Sequence, residues 1–163
     1  MEVHKRILFE DNHLLIVNKE AKELVQGDKT GDRTLADHLK TYIKKKYNKP
    51  GEVYLGIVHR IDRPTSGVVV FTKTSKALAR LNAQFEKRIP KKTYWAVVDK
   101  AFPNQEGTLT HWMTRNQKQN KSKAHKNEVP NSKIAKLSYK RVQEFEHYCL
   151  LEVSLETGRH HQI

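Results

Sequence analysis

A charged segment between two apolar runs constrains the fold of this chain more than any other feature. The segment is 59–67, the run before it is 55–58 and the run after it is 68–71. Short apolar runs of this kind predict two strands, joined by a loop that the strands hold rigidly. A side chain on such a loop is fixed at the end of a sheet, where binding and catalytic groups commonly lie.

Asp62 stands between Arg60 and Arg63 in this segment. Nearby positive charge lowers the pKa of a carboxyl group, so Asp62 is expected to be ionised even where water is partly excluded. An ionised, poorly hydrated carboxylate can act as a nucleophile or as a general base. The alternative is a solvated loop whose carboxylate caps a turn, and spacing alone leaves that interpretation open.

The chain has a large excess of basic residues, with a formal net charge of +13. Such an excess is typical of proteins that bind a polyanion. An anionic membrane is the rival partner, but the chain has neither a lipidation motif nor a long basic helix with an apolar face. Its apolar runs are also shorter than the roughly 20 residues needed to cross a bilayer. The composition therefore favours a nucleic acid and argues against a membrane.

The length and cysteine content fit one intracellular domain. A chain of this size can bury about 70% of its unfolded surface, so 1–163 is predicted to be a single domain. Its one cysteine, Cys149, cannot form an internal disulfide, which fits a reducing compartment, and its alternating apolar neighbours place it in a core. The N-terminal residues have no signal-peptide pattern, so a cytoplasmic location is expected.

Hydrophobic periodicity predicts several strands and two separated helices. Besides the two runs above, strands are predicted at 7–9, 14–17, 93–98, 135–140 and 149–155. One helix is predicted over 34–46. A second is predicted to be capped by Ser75, with a buried stripe formed by Leu78, Leu81 and Phe85. Strands and helices without strict alternation predict an α+β fold with a mixed, largely antiparallel sheet.

The stretch 99–132 shows no periodicity and is predicted to be a mobile loop. Within it, 116–127 is polar and cationic, with no aromatic residue between its lysines. Lysines of this kind contact phosphates and not bases. Four of them are predicted to bind a nucleic-acid backbone, namely Lys118, Lys121, Lys123 and Lys126.

Three ordered segments resemble signatures of the RluA-type pseudouridine synthases. Residues 59–67 resemble HRLDxxTSG with Ile61 in place of the leucine, 91–98 resemble the K-x-Y-x-A strand, and 155–163 resemble L-x-TGRxHQIR. The resemblance runs from about Ile7 to the last residue. It implies the pseudouridine synthase fold, in which a mixed sheet with flanking helices is split by a central catalytic cleft.

The resemblance also implies an isomerase that breaks the N1–C1′ bond of a uridine in RNA, turns the uracil and rejoins it through C5. No cofactor or metal is implied. Asp62 would be the catalytic carboxylate, either as a nucleophile or as the base that starts glycal formation. Arg60 would fill the space left by the flipped uridine, Tyr94 would stack on the uracil, and Arg159 would bind substrate. The implied partner is structured ribosomal or transfer RNA, contacted through the four lysines; we expect a monomer and no DNA partner.

Two competing interpretations concern residues near these motifs. Strand alternation puts Tyr94 and Trp95 on opposite faces, so only one of them can face a site, and the resemblance selects Tyr94. The adjacent His160 and His161 suggest a metal, but neighbouring residues on a strand point in opposite directions and the chain has no metal-ligand spacing. We therefore expect no metal site.

The chain departs from the family pattern at three places. Residues 20–23 read Glu-Ala-Lys-Glu, where the family has proline and a short Ala-Gly stretch, and this alters the local loop. Too few residues precede Ile7 for the S4-like RNA-binding domain of ribosomal members. The chain ends at Ile163, one residue before the arginine that pairs with the catalytic aspartate in the family. We therefore expect a catalytic domain that is incomplete at its C-terminus, inactive and poorly stable; the alternative function is an RNA-binding module with a degenerate synthase fold.

Overall fold

Antiparallel strands dominate the computed structural model, which describes residues 2–28, 30–100 and 104–163. The chain divides into two units, Met1–Lys87 and Arg88–Ile163, and each has its own sheet and core. Every strand pairing among the described residues is antiparallel. The α+β class and the largely antiparallel pairing are confirmed, with the strands divided over two sheets. A single domain over 1–163 stays a prediction.

The first unit combines a four-stranded sheet with both of the α-helices in the described chain. Its elements are a short 3-10 helix (Val3–Arg6), β1 (Ile7–Glu10), β2 (Leu14–Lys19), α1 (Leu35–Lys46), β3 (Gly56–Ile57), β4 (Gly67–Thr72) and α2 (Ser75–Glu86). The sheet order is β1-β2-β4-β3, so β4 lies between β2 and β3.

The core of the first unit lies between α1 and one face of β2 and β4. Leu15 is paired with Phe71 and Val17 with Val69, and all four are fully buried. Burying a side chain of this size contributes about 1.5–3 kcal/mol relative to leaving it exposed. The buried face of α1 packs into the same cluster, which fixes the centre of the sheet and the strand that follows the charged segment.

Both helices begin with a threonine cap. Thr34 accepts from the backbone N–H of Asp37, whose carboxylate accepts in return from the Thr34 N–H, forming a capping box. The cap of α2 is Thr74 and not Ser75, which is the first helical residue, so that prediction is wrong by one position. The predicted apolar stripe of α2 is only half-buried, because the helix lies at the edge of its unit's core and not inside it.

The second unit is a five-stranded antiparallel sheet. Its strands are β5 (Thr93–Asp99), β6 (Glu106–Asn116), β7 (Lys121–His125), β8 (Lys133–Glu144) and β9 (Tyr148–Leu155), in the order β5-β9-β8-β6-β7. Its hydrophobic core cluster contains Leu137, Tyr139, Cys149, Leu151 and Val153. The core position of Cys149 is confirmed, since the side chain is fully buried.

The predicted loop 99–132 is wrong over much of its length. Residues 101–103 lie outside the described chain, but most of the remainder forms β6 and β7, which pair with each other from Trp112↔His125 to Asn116↔Lys121. Their sequence is polar and lacks clean alternation, so it carries no strand signal by itself. Pairing of β6 with the strongly alternating β8 supplies the hydrogen bonds that make it a strand.

No helix in the described part of the chain is long and apolar enough to span a membrane.

Candidate active site

The charged segment 59–67 connects β3, an edge strand of the first unit's sheet, to the inner strand β4. Gly67, the first residue of β4, has a φ of 138°, which a residue with a side chain rarely adopts. Gly56 in β3 must also lack a side chain, since a Cβ there would lie 2.3 Å from Thr72 Oγ1. Two glycines therefore fix where the loop leaves and re-enters the sheet.

His59 ties the start of the loop to β4. Its Nε2 accepts a hydrogen bond of 3.1 Å from the backbone N–H of Val70. Its ring stacks on Phe85 of α2, with 5.2 Å between ring centroids and an angle of 17° between the planes. The accepting Nε2 carries no proton, so a neutral His59 has its proton on Nδ1. The half-buried face of α2 thus supports the loop.

Asp62 lies in the middle of the loop, and its side chain is half-buried. Its backbone oxygen accepts from the Thr65 N–H at 3.0 Å, which closes a turn. The turn is therefore closed by the carbonyl and not by the carboxylate, against the interpretation of Asp62 as a turn cap. Among the described residues, the carboxylate has no hydrogen-bond or ion-pair partner, which leaves both oxygens available for a ligand.

The two neighbouring arginines do not pair with Asp62. Arg63 forms an ion pair of 2.8 Å with Asp32 and donates from Nε to the Lys22 carbonyl at 3.0 Å. Arg60 is exposed and has no hydrogen bond or ion pair within the described chain. The expected carboxylate between two guanidinium groups is not formed, because one guanidinium is engaged elsewhere and the other lies at the surface.

A buried lysine that the sequence interpretation missed lies next to this loop. Lys19, the last residue of β2, is fully buried. Its Nζ donates to the carbonyls of Glu20 and Glu23, each at 2.9 Å, and of Arg63 at 3.2 Å. An ammonium group has three donors, so these carbonyls satisfy it completely. Burial lowers the pKa of Lys19, while the negative charges of Glu23 and Asp62 oppose that shift.

Lys19 thus holds the backbone of Arg63, the residue directly after Asp62. The sequence signal for it was weak, because a lysine at the end of an apolar strand is ordinarily exposed. Its contact with Arg63 joins residues 44 positions apart, which local pattern cannot reveal.

The remaining predicted site residues belong to the second unit. Tyr94 of β5 is half-buried and packs on the core side of the sheet, opposite Val153 of β9. Trp95 points to the other face and is 73% exposed. The prediction that these two aromatic residues occupy opposite faces is confirmed.

The segment after β9 folds back on β8 as a compact turn. The Thr157 side chain is buried and accepts from the Lys136 N–H at 2.8 Å, and Gln162 Nε2 donates to the Lys136 carbonyl at 3.0 Å. Gln162 Oε1 also accepts from the Arg159 N–H at 2.9 Å. Arg159 Nε donates to the carbonyl of Ile134 at 2.9 Å. One nitrogen of this guanidinium therefore holds the turn, and the other two remain for a ligand.

His160 connects this turn to the β6–β7 hairpin. Its Nδ1 lies 2.8 Å from Ser122 Oγ and its Nε2 lies 3.1 Å from Asn120 Oδ1. The imidazole also stacks on His161, with ring centroids 3.7 Å apart. The third motif and the hairpin are thereby held as one structure within the second unit.

The four predicted lysines lie on or beside this hairpin. All are exposed, and none forms an ion pair in the part of the chain that the structure describes. Lys118 lies in the turn, Lys121 and Lys123 in β7, and Lys126 directly after it. The strand pairing also places Trp112 of β6 opposite His125 of β7.

No cluster of three or more histidine, cysteine or acidic residues that could hold a metal ion occurs among the described residues. The candidate residues of the first unit are Asp62, Lys19 and Arg60, and those of the second unit are Tyr94, Arg159 and the hairpin lysines.

Comparison with known proteins identifies the family. Residues 13–163 match the model of the RNA pseudouridylate synthase family. The ribosomal large subunit pseudouridine synthase C of Vibrio parahaemolyticus is 31% identical over 99% of this chain and 48% of its own length. The ribosomal large subunit pseudouridine synthase D of Zymomonas mobilis is 36% identical over 99% of this chain and 51% of its own length.

The fold comparison agrees. Human RNA Pseudouridylate Synthase Domain Containing 4 superposes with a TM-score of 0.77 at 22% identity, over 98% of this chain and 62% of that one. The chain spans about half the length of the relatives above. With a family match over nearly all of its residues and the same fold, the chain belongs to the RNA pseudouridylate synthase family.

Proposed function

We propose that this protein is an RNA pseudouridine synthase and that Asp62 is its catalytic carboxylate. The observation that carries the proposal is the position of Asp62 inside the matched region, on a loop fixed between β3 and β4, with no hydrogen-bond or ion-pair partner for its carboxylate among the described residues. A half-buried carboxylate without such partners is available to a ligand. Nothing in the fold or the comparisons favours the alternative of an inactive RNA-binding module.

The reaction is an isomerisation in which the uracil stays with its own ribose. The N1–C1′ bond breaks, the base turns, C5 bonds to C1′, the hydrogen at C5 leaves as a proton, and N1 takes up a proton. Asp62 would begin this sequence either by attacking as a nucleophile or by removing a proton from the ribose.

The other residues would bind the RNA. Arg60 is exposed and has no partner within the described chain, so its planar guanidinium is available to fill the position of a flipped uridine. Tyr94 would stack on the uracil, and Arg159 would bind substrate through the nitrogens that the turn does not use. The hairpin lysines would hold the phosphate backbone.

Structured RNA is the proposed substrate, and large-subunit ribosomal RNA is the first candidate because two relatives carry that name. Transfer RNA is the second. We further propose that the protein acts as a monomer in the cytoplasm, without a cofactor and without a DNA partner.

The test restores the deleted gene at its own locus, unchanged or with Asp62→Asn. Pseudouridine is then mapped in ribosomal and transfer RNA by carbodiimide labelling. At least one position should lose pseudouridine on deletion, regain it with the unchanged gene and stay unmodified with Asp62→Asn. Glu52→Gln, which changes an exposed carboxylate of the same unit, should restore modification fully.

A second assay uses the whole product of the gene and measures the reaction directly, as tritium release from 5-tritiated uridine in RNA taken from the deletion strain. Asp62→Asn should release none above background. Retention of about a tenth of the wild-type rate would refute the role of Asp62, and an unchanged pseudouridine map in the deletion strain would refute the function.

A further inference from the structure

A turn at residues 20–23, directly after β2, contacts the loop that carries Asp62. The Lys22 N–H donates to the Arg63 carbonyl at 2.7 Å, and Arg63 Nε donates back to the Lys22 carbonyl at 3.0 Å. The Lys19 ammonium donates to the same Arg63 carbonyl. Three hydrogen bonds therefore hold the residue that follows Asp62, and all of them come from β2 or from this turn.

The turn at 20–23 is held in place by an arginine that lies outside the segment matched by the family model. Arg6 ends the short 3-10 helix, and its side chain is only 12% exposed. Its two terminal nitrogens donate to the two carboxylate oxygens of Glu23, at 2.6 Å and 2.9 Å. This bidentate geometry is the strongest form of a hydrogen-bonded ion pair and fixes orientation as well as distance. The family match begins only at residue 13.

Glu23 transmits that constraint to the turn. Its carboxylate also accepts from the Glu20 N–H at 2.9 Å, while its carbonyl accepts from Lys19 Nζ at 2.9 Å. The guanidinium of Arg6 additionally lies 3.7 Å from the Glu20 carboxylate. The turn is thus closed by Arg6 on one side and by Lys19 on the other.

We propose that Arg6 is a positioning residue for Asp62, acting through Glu23 and the turn 20–23 on the backbone of Arg63. This role of Arg6 rests on the proposed function of Asp62. Releasing Glu23 would free the turn, and the Asp62 loop would lose contacts on one side while it keeps those of His59 with β4. A loop displaced by about 1 Å can lower a reaction rate about 100-fold without unfolding the protein.

The test compares Arg6→Met with Lys5→Met. Both remove one positive charge at neighbouring positions, but Lys5 is 71% exposed and pairs only with the exposed Glu2. Arg6→Met should lower kcat by about tenfold or more and change KM for RNA by less than about twofold. Lys5→Met should leave both constants unchanged. Arg6→Lys keeps a charge and a single hydrogen bond, and it should recover part of kcat.

Hydrogen exchange supplies a measurement that does not depend on activity. The Thr65 N–H is bonded to the Asp62 carbonyl, so it reports the order of the loop. Arg6→Met should speed its exchange, while amides in the centre of β4 keep their wild-type rates. A purely structural role would accelerate exchange throughout the unit and leave kcat per folded molecule unchanged.

The outcomes separate the two proposals. Suppose that Asp62→Asn is inactive, while Arg6→Met keeps the wild-type kcat and the wild-type exchange rate of the Thr65 N–H. This result overturns the positioning role alone. An active Asp62→Asn overturns the proposed function, and Thr65 exchange then still decides whether Arg6 orders the loop. Equal rises of KM in Arg6→Met and Lys5→Met would show a general charge effect on RNA binding and would also overturn the positioning role.

Discussion

The Glu10 carboxylate makes the stability of the first unit depend on pH. It is 7% exposed and accepts hydrogen bonds from four side chains. The donors are Lys46 at 2.7 Å, Tyr47 at 2.8 Å, and Lys73 and Tyr42 at 2.9 Å. Burial by itself raises the pKa of Glu10, but these hydrogen bonds outweigh it and lower the pKa from 4.5 to about 2. The carboxylate thereby joins the end of β1 to the last turn of α1.

The contribution of Glu10 to the free energy of unfolding follows from its pKa shift. Each pKa unit corresponds to about 1.4 kcal/mol, so the full shift corresponds to about 3 kcal/mol. Lys46 is 44% exposed, and solvent screening reduces the contribution to about 2 kcal/mol. Because the pKa is lower in the folded state, this stability is present above pH 4.5 and is lost as the pH falls toward 2.

The chain offers separate optical probes for its two units. Both α-helices of the described chain lie in the first unit, so circular dichroism at 222 nm follows that unit. Both tryptophans, Trp95 and Trp112, lie in the second, so their fluorescence follows the other. Urea unfolding at pH 7 should show Glu10→Gln to be about 2 kcal/mol less stable than wild type by dichroism, and this difference should shrink by more than half at pH 3. Glu2→Gln, in an exposed pair, should match wild type at both pH values.

A difference between wild type and Glu10→Gln that is the same at pH 7 and pH 3 would refute this reasoning. It would mean that Glu10 stabilises the unit by packing and neutral hydrogen bonds and not by its charge.

Two further predictions concern the turn at 20–23 and the β6–β7 hairpin. Lys22 has a φ of 73°, in the left-handed region where a side chain costs about 1 kcal/mol. Lys22→Gly keeps the backbone hydrogen bond to Arg63. After the greater flexibility of the unfolded chain is subtracted, it should stabilise the first unit by about 0.5 kcal/mol in urea unfolding followed at 222 nm. A loss of stability would contradict the assumed backbone strain at Lys22. Replacing four hairpin lysines with serine should weaken binding to all RNAs alike and reduce the slope of log affinity against log salt by about 3; the changed residues are Lys118, Lys121, Lys123 and Lys126. An equal reduction in a control with four other exposed lysines changed would show that the hairpin has no special role; that set is Lys44, Lys45, Lys49 and Lys76.

Local patterns predicted most of the secondary structure. The helix over 34–46 was found within one residue, since its capping box and its apolar face are complete within a single segment. The strands β8 and β9 followed from strict alternation of apolar and polar residues. The hairpin β6–β7 was missed because its residues form strands only beside β8. The apolar stripe of α2 is half-buried because burial depends on what covers a helix and not on the helix's own periodicity.

The family and the fold class follow from three motifs and their order, which are properties of the chain alone, and the same motifs select Asp62 as the candidate. The surroundings of that carboxylate depend on how the chain folds. The tertiary structure engages Arg63 with Asp32, leaves Arg60 exposed and buries Lys19 beside the loop. These outcomes depend on contacts between residues far apart in the chain, and the energy of a charge depends on which groups and how much water surround it after folding.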